Sequence, residues 1–238
     1  QKFPHLTVIA IDRDLEAISK ASIRLAEFGD RLLTAHQSFD AIGEVVKSFG
    51  FKKIDGALFD LGTSSMQLDQ SDRGFSYSQD APLDMRMDRR QSLTAAEIVN
   101  TYEPGQLVRI LRTYGEEKFA TRIVESIVKT REIAPMNSTA QLAALVKEAI
   151  PAATRRTGGN PAKRTFQALR IETNDELGSI SRALPAALEI LNIGARLVVM
   201  SFQSLEDRIV KEIFVSASTS GTPRELPVEL PEFAAKFA

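Results

Sequence analysis

The fold class this sequence predicts is α/β, a doubly wound Rossmann-like sheet of parallel strands carrying a helical insertion. Three observations predict it. Short apolar runs of strand length alternate with segments whose apolar residues recur at helical spacing. The strand signal then disappears between residues 94 and 173 and returns near the end of the chain. Between these regions a long polar loop, Asp60 to Asp88, follows directly on a buried strand, where an open sheet places its ligand crevice.

Taken in order, residues 7–11 form an apolar run ending in Asp12, and residues 15–28 carry Ile18, Ala21, Leu25 and Phe28 on one helical face. Residues 31–35 read as a second, weaker strand that leads into His36-Gln-Ser-Phe39. Ile42, Val45, Val46 and Phe49 give residues 41–49 a helical stripe, and residues 54–59 are the next strand. Thr94 with Glu97 and Ser138 with Gln141 match the capping box, in which side chain and backbone at a helix start satisfy each other. Helices are expected over 106–112, 116–130, 141–149 and 161–173. Leu177, Ile180, Leu184, Leu188 and Leu191 mark one more, and residues 195–200 are a strongly apolar strand. Buried strands alternating with helices argue for a parallel sheet covered on its faces.

The chain has 238 residues, 43% hydrophobic and 26% charged, with a net charge of −1. It can bury a substantial core, and no overall basic excess advertises a nucleic-acid partner, so any such partner needs a local patch. No apolar run of membrane-spanning length and no signal peptide is visible, so the expectation is a cytoplasmic protein with no membrane partner. Cysteine is absent, which excludes disulfides, thiolate metal ligands and a cysteine nucleophile. No metal site is expected. The opening Gln-Lys-Phe-Pro reads as the close of a helix, and the tail from Thr222 is rich in Pro and Glu. The expectation is an excerpt trimmed at both ends, with the central first strand and its Gly-rich turn upstream.

Open α/β sheets bind ligands beyond the carboxyl ends of their strands. The ends here are Asp12, Phe39, the loop from Asp60 to Gln67, and Ser201-Phe-Gln203. An acid at the second strand of such a sheet is the usual partner of ribose hydroxyls, whether the cofactor is a nicotinamide or an adenosyl compound; a strand-end Asp also caps the next helix in many folds. Phe39 can stack on an adenine or fill core. Asp60 before Gly62 presents one charge at the sheet edge. If extended, Asp84-Met-Arg-Met-Asp88 points Asp84, Arg86 and Asp88 one way and both Met side chains the other, either as a pinned functional strip or as a surface ion-pair ladder. From Thr94 to Asn174 there are 12 Lys or Arg against 8 acids. Arg155, Arg156, Lys163, Arg164 and Arg170 fall in a stretch with no acid, and Lys163, Gln167 and Arg170 share a helical face suited to phosphates, or to plain solvation.

Six motifs in order resemble one family. Asp60-Leu-Gly-Thr-Ser-Ser-Met-Gln-Leu-Asp69, Arg73-Gly-Phe-Ser76, Pro82-Leu-Asp-Met-Arg-Met-Asp88, Thr113-Tyr-Gly-Glu-Glu117, Arg164-Thr-Phe-Gln-Ala-Leu-Arg-Ile171 and Ser204-Leu-Glu-Asp-Arg-Ile-Val-Lys211 are similar to the RsmH (MraW) methyltransferases. That resemblance implies S-adenosyl-L-methionine as cofactor. It also implies methylation of the exocyclic N4 amine of a cytosine in the decoding centre of 16S ribosomal RNA. The partner is then the small-subunit RNA, within the assembled subunit; a homodimer is one arrangement the sequence allows. The resemblance implies cofactor contacts at Asp12, Phe39, Asp60 and Gln67. It implies a discontinuous cofactor-binding domain, residues 1–93 and 174–216, a substrate-recognition insertion at 94–173, and a C-terminal extension at 217–238. Departures from the family pattern are Asn160 and Gln203 where His is usual, and Gly194-Ala195 in place of Gly-Gly.

A cytosine amine is a weak nucleophile because its lone pair is delocalised, so its transfer chemistry needs an N–H acceptor and in-line placement. Methylation at cytosine carbon 5 needs a cysteine, which this chain lacks. The expected catalytic set is Asp60, Ser64, Ser65, Asp84 and Asp88, with Asp60 or the serine pair orienting the amine and Asp84, Arg86 and Asp88 shaping the base pocket. Arg155, Arg156, Lys163, Arg164, Gln167 and Arg170 are expected on RNA, and Ser201 and Gln203 at the base edge. Three rivals share parts of this pattern. A nicotinamide-dependent oxidoreductase leaves the basic insertion unexplained. A non-catalytic RNA-binding or assembly factor fits the two His departures. DNA methylation fits the modest basic surface poorly.

Overall fold

The computed structural model describes residues 3–152, 159–222 and 233–237. Two compact units divide the chain: residues 1–62 with 177–238, and residues 63–176. The sequence expectation set the corresponding inner boundaries at 93/94 and 173/174.

The first unit holds the strands. β1 (Val8–Asp12) and β2 (Leu32–His36) run parallel, joined by α1 (Leu15–Arg24), with Asp12 opposite His36 at the carboxyl end. β3 (Ile54–Asp60) and β4 (Leu191–Met200) form a second parallel pair with Asp60 opposite Met200. α2 (Ile42–Ser48), α9 (Glu176–Ile190) and α10 (Ser204–Ser218) supply its other helices, although the first residue of α9 belongs to the second unit. Parallel strands linked through helices are the doubly wound α/β arrangement that the alternating pattern predicts. Among the described residues β1 and β3 are not paired with each other.

One face of the β3–β4 pair packs. Phe59 joins Ile42, Val46, Leu61, Ile180, Ala183, Leu184, Ala187 and Val210 in a core that Ala57, Leu197 and Val199 flank. The alternate residues Leu58, Val198 and Met200 are exposed, as the period of two along a strand requires. The helix expected over 15–28 ends early. Leu25 caps α1, and a 3-10 stretch, Ala26–Arg31, follows, with Gly29 at φ 52°. That left-handed backbone is open to glycine and breaks the helical run.

The second unit is helical: α3 (Ser65–Asp69), α4 (Ala95–Thr101), α5 (Pro104–Thr113), α6 (Ala120–Ile133), α7 (Thr139–Ala149) and α8 (Lys163–Asn174). Thr94 and Ser138 cap α4 and α7 through side-chain oxygens that accept from Glu97 N–H and Gln141 N–H. Its core contains Leu83, Met85, Ile98, Leu107, Ile110, Leu111, Ile123, Ile127, Met136, Leu142 and Leu169. Each such side chain contributes about 1.5–3 kcal/mol by leaving water. Arg131 closes the end of α4 by donating to the carbonyls of Val99 and Tyr102 at 2.9 and 2.7 Å. Gly115 lets the end of α5 approach α8, since a Cβ there would lie 2.6 Å from the Arg164 carbonyl oxygen. Among the described residues no helix is long and apolar enough to cross a membrane.

Candidate cofactor and nucleic-acid sites

In the first unit the strand tips carry the candidate residues. Asp12 Oδ1 accepts from the Asp14 N–H at 2.7 Å, and the Asp12 carbonyl accepts from Gln37 N–H at 3.0 Å, which fixes the carboxylate at the end of β1. Asp14 in turn caps α1, so the capping role considered for Asp12 falls to its neighbour. Desolvation at the strand tip pushes the Asp12 carboxyl above its ordinary value, against the pull of the Asp14 N–H. Phe39 meets Phe59 edge-on with ring centroids 5.8 Å apart, and the Arg13 guanidinium lies 5.8 Å from its centroid. Arg13 also donates to Ser38 Oγ and Ser179 Oγ. Phe39 is thus half in the core and half at the strand tip.

At the end of β3, Asp60 is exposed, the Leu61 N–H donates to the Met200 carbonyl at 3.0 Å, and Gly62 follows at φ 92°. β4 ends beside it in the turn Ser201-Phe202-Gln203. Glu206, 1% exposed, organises this turn: Oε2 accepts from the Phe202 N–H at 2.9 Å and Oε1 accepts from Gln203 Nε2 at 3.0 Å. The carboxylate can only accept, so it orients the Gln203 amide with its nitrogen toward Glu206. Gln203 Oε1 is left buried without a hydrogen-bond partner.

In the second unit many expected site residues have structural partners. Ser64 Oγ accepts from Gln67 N–H while Gln67 Oε1 accepts from Ser64 N–H, both at 3.2 Å, a complete capping box at α3. Ser65 is the first residue of that helix. The spacing Ser64-x-x-Gln67 is the local signal for this cap, of the same kind as Thr94-x-x-Glu97 and Ser138-x-x-Gln141.

The strip Asp84 to Asp88 does alternate, with Leu83, Met85 and Met87 buried and Asp84, Arg86 and Asp88 half-exposed. It is not extended throughout, because Met85 adopts a left-handed φ of 60°. Arg73, 3% exposed, holds this backbone by donating to the carbonyls of Arg86 and Met87, each at 3.1 Å. Asn174 holds it from α8, accepting from Met87 N–H at 2.8 Å and donating to the Met85 carbonyl at 2.7 Å. Neither residue stood out in the sequence as a clamp. Arg86 folds back on Asp84 with Nε to Oδ1 at 2.8 Å and a second nitrogen to Oδ2 at 2.9 Å, and it also donates to the Gln91 carbonyl at 2.7 Å. Burial pushes the Asp84 carboxyl up, but the Arg86 hydrogen bonds outweigh it and hold the group below its ordinary value. Asp88 pairs with Arg90 at 2.7 Å. The strip is therefore an ion-pair ladder outside, pinned by methionines inside.

On α8, Lys163 is exposed, and Arg164, also exposed, donates to the Glu116 carbonyl. Gln167 donates to the Tyr114 carbonyl at 2.9 Å. Arg170 makes a two-pronged bond with Glu176, at 2.8 and 2.9 Å, and reaches Thr63 Oγ1 at 3.3 Å. Arg155 and Arg156 lie outside the described residues. Asn160, where the family pattern has His, accepts from the Ala162 N–H at 2.9 Å and so shapes the entry to α8.

A profile described as the MraW methylase family matches residues 1–238. The chain is 54% identical over 239 residues to the ribosomal RNA small subunit methyltransferase H of Mycobacterium marinum, an alignment covering 99% of this chain and 60% of that protein. It is 53% identical to the protein of the same name from Streptomyces avermitilis, covering 95% of this chain and 71% of the relative. It is 57% identical to that of Mycolicibacterium smegmatis, covering 99% and 63%. The chain thus spans between 60% and 71% of the length of these three relatives.

Proposed function

The chain belongs to the MraW methylase family, and from that premise we propose that it serves S-adenosyl-L-methionine-dependent methylation of small-subunit ribosomal RNA at the N4 amine of a decoding-centre cytosine. The observation that carries the reading in this chain is the pair of acids at parallel strand ends, Asp12 on β1 and Asp60 on β3, inside a sequence that matches the family from end to end. The relatives' names supply ribosomal RNA of the small subunit.

The residues present suit an adenosyl cofactor. A fixed carboxylate at a β1 tip is the acceptor that a ribose diol needs, and a half-buried ring after β2 offers a face to adenine. Asp12, Phe39, Asp60 and Gln67 would hold the cofactor, which when bound supplies a methyl group on a positively charged sulfur. The chain's own part is to orient the amine and accept its hydrogen bond. Asp60, exposed at the end of β3, is the acceptor we assign, with Ser64 and Ser65 nearby in sequence as supporting hydroxyls. Asp84, Arg86 and Asp88 shape the base pocket through their ladder. Ser201 and Gln203 read the base edge. Lys163, Arg155 and Arg156 take the phosphates, while Arg164, Gln167 and Arg170 hold α8 in place through the bonds described above. The target base must be unpaired or flipped to be reached. The role of residues 94–173 is substrate recognition.

The test uses full-length protein with methyl-labelled S-adenosylmethionine and either naked 16S RNA or small subunits, followed by nucleoside analysis. Label recovered as N4-methylcytidine is the expected result. RNA binding with no label transferred would establish the assembly-factor reading instead, and label on another nucleoside would overturn the cytosine assignment. Asp84→Ala is expected to abolish transfer while cofactor binding persists; loss of both would remove Asp84 from the substrate side.

A further inference from the structure

We propose that Phe202 is a stacking platform for the unpaired target base, an inference that rests on the methyl-transfer reading above. Large aromatic rings bury most of their surface in folded proteins, yet Phe202 is 70% exposed. Its position is built rather than incidental. The Glu206 carboxylate, itself 1% exposed, accepts from the Phe202 N–H, so a buried charge fixes the backbone that carries the ring. A Cβ on Gly62 would lie 3.8 Å from Phe202 Cδ2, so the ring rests against the tip of β3 and leaves its remainder to solvent.

The surroundings indicate what would cover that ring. Asp60, exposed and in register with Met200, lies at the same strand ends as residues 201–203. Gln203, the next residue, donates from its amide nitrogen to Glu206 and keeps its oxygen buried, so it braces the turn from behind and leaves the exposed face to Phe202. An exposed aromatic ring at the same strand ends as an exposed carboxylate suits a flat ring that carries an amine donor, and a nucleobase with an exocyclic amine is such a ring. Stacking of a base on an aromatic side chain is tolerant of sequence and depends on the π face. The exposed Leu58, Val198 and Met200 differ in kind, since they lie along the sheet face and not beyond its carboxyl end.

The full-length protein with Phe202→Ala, Phe202→Leu and Phe202→Tyr tests this. A single-stranded RNA carrying the fluorescent base pyrrolocytosine at the target position reports stacking by quenching, without requiring turnover. Wild type and Phe202→Tyr should quench; Phe202→Leu and Phe202→Ala should not, and RNA affinity should fall about 5- to 150-fold in Phe202→Ala. Calorimetric affinity for S-adenosylmethionine should stay unchanged in all three. Equal quenching by Phe202→Leu reduces the ring to an apolar filler, and a parallel loss of cofactor affinity gives it to the adenine; either overturns the proposal. A wild type that quenches but transfers no label refutes the enzymatic reading and leaves the platform standing. An active wild type whose Phe202→Ala form is equally active and equally quenched refutes the platform alone.

Discussion

Asp84 and Asp12 depart from the ordinary carboxyl value in opposite directions, and the difference separates an acid held ionised by a neighbouring guanidinium from one whose charge burial opposes. At Asp84, burial raises the pKa but three hydrogen bonds from Arg86 outweigh it, leaving the folded value below the ordinary 3.8. A depressed carboxyl stabilises the folded state fully above the unfolded value and loses that contribution as pH falls through the folded one. Asp84→Asn should therefore cost about 1.5–3 kcal/mol at neutral pH. The gap to wild type should narrow only below the unfolded value of 3.8, as read by urea unfolding at successive pH values. At Asp12, desolvation outweighs the Asp14 N–H and the folded value is raised. The sign reverses: ionised Asp12 is a penalty present above its folded pKa and relieved as pH falls toward the unfolded value. Asp12→Asn is thus expected to unfold no more easily than wild type at neutral pH while binding S-adenosylmethionine at least about tenfold more weakly, near the loss of one charge-assisted bond. Calorimetric titration beside denaturant melts reads both arms.

Helix α8 shows how one element divides its charges. Its exposed Lys163 remains at the surface, whereas Arg170 is drawn inward to Glu176 with side-chain exposures of 19% and 8%. Thr63 and Glu176 are the first and last residues of the second unit, so Arg170 ties the two ends of that unit together. Removing one member of such a buried pair leaves the other charged and unpartnered, which costs about 3–5 kcal/mol. Arg170→Ala should lose about that much in thermal or urea unfolding, and adding Glu176→Ala should recover part of it. A loss below about 1 kcal/mol, with reduced RNA affinity, would return Arg170 to the phosphate role. The approach of α5 to α8 at Gly115 belongs to the same element: the contact between helix backbones leaves no room for a Cβ, so the glycine there is a packing requirement.

The described residues form two cores. The one lined by Phe59, Leu61, Ile180 and Leu184 belongs to the discontinuous first unit, and the one lined by Met85, Ile98, Ile110 and Leu142 belongs to residues 63–176. A continuous segment with its own buried core and its own clasp across its ends has what a domain needs to fold alone. Residues 63–176 expressed separately should show a cooperative thermal transition and dispersed amide resonances. A broad, non-cooperative melt would show that the second unit depends on the first. The first unit lacks this independence as a simple fragment, because its chain leaves after residue 62 and returns at 177.

Residue order alone determined the alternation of strands and helices, the caps at Thr94 and Ser138, and the motifs that point to a methyltransferase, because periodicity, capping and motif spacing are local properties written within a few residues of each other. The end of α1 was legible too, in Gly29, but the helical stripe through Phe28 concealed it. The tertiary structure decided what each polar group does. Nothing near Gln167 or Arg170 announces Tyr114 or Thr63 as partners, since those lie 53 and 107 residues away. Nothing near Met85 announces that Asn174, 89 residues on, will hold it in a left-handed conformation. A guanidinium or an amide suits a phosphate, a carboxylate and a carbonyl alike, and only the fold selects among them by bringing one within hydrogen-bonding distance.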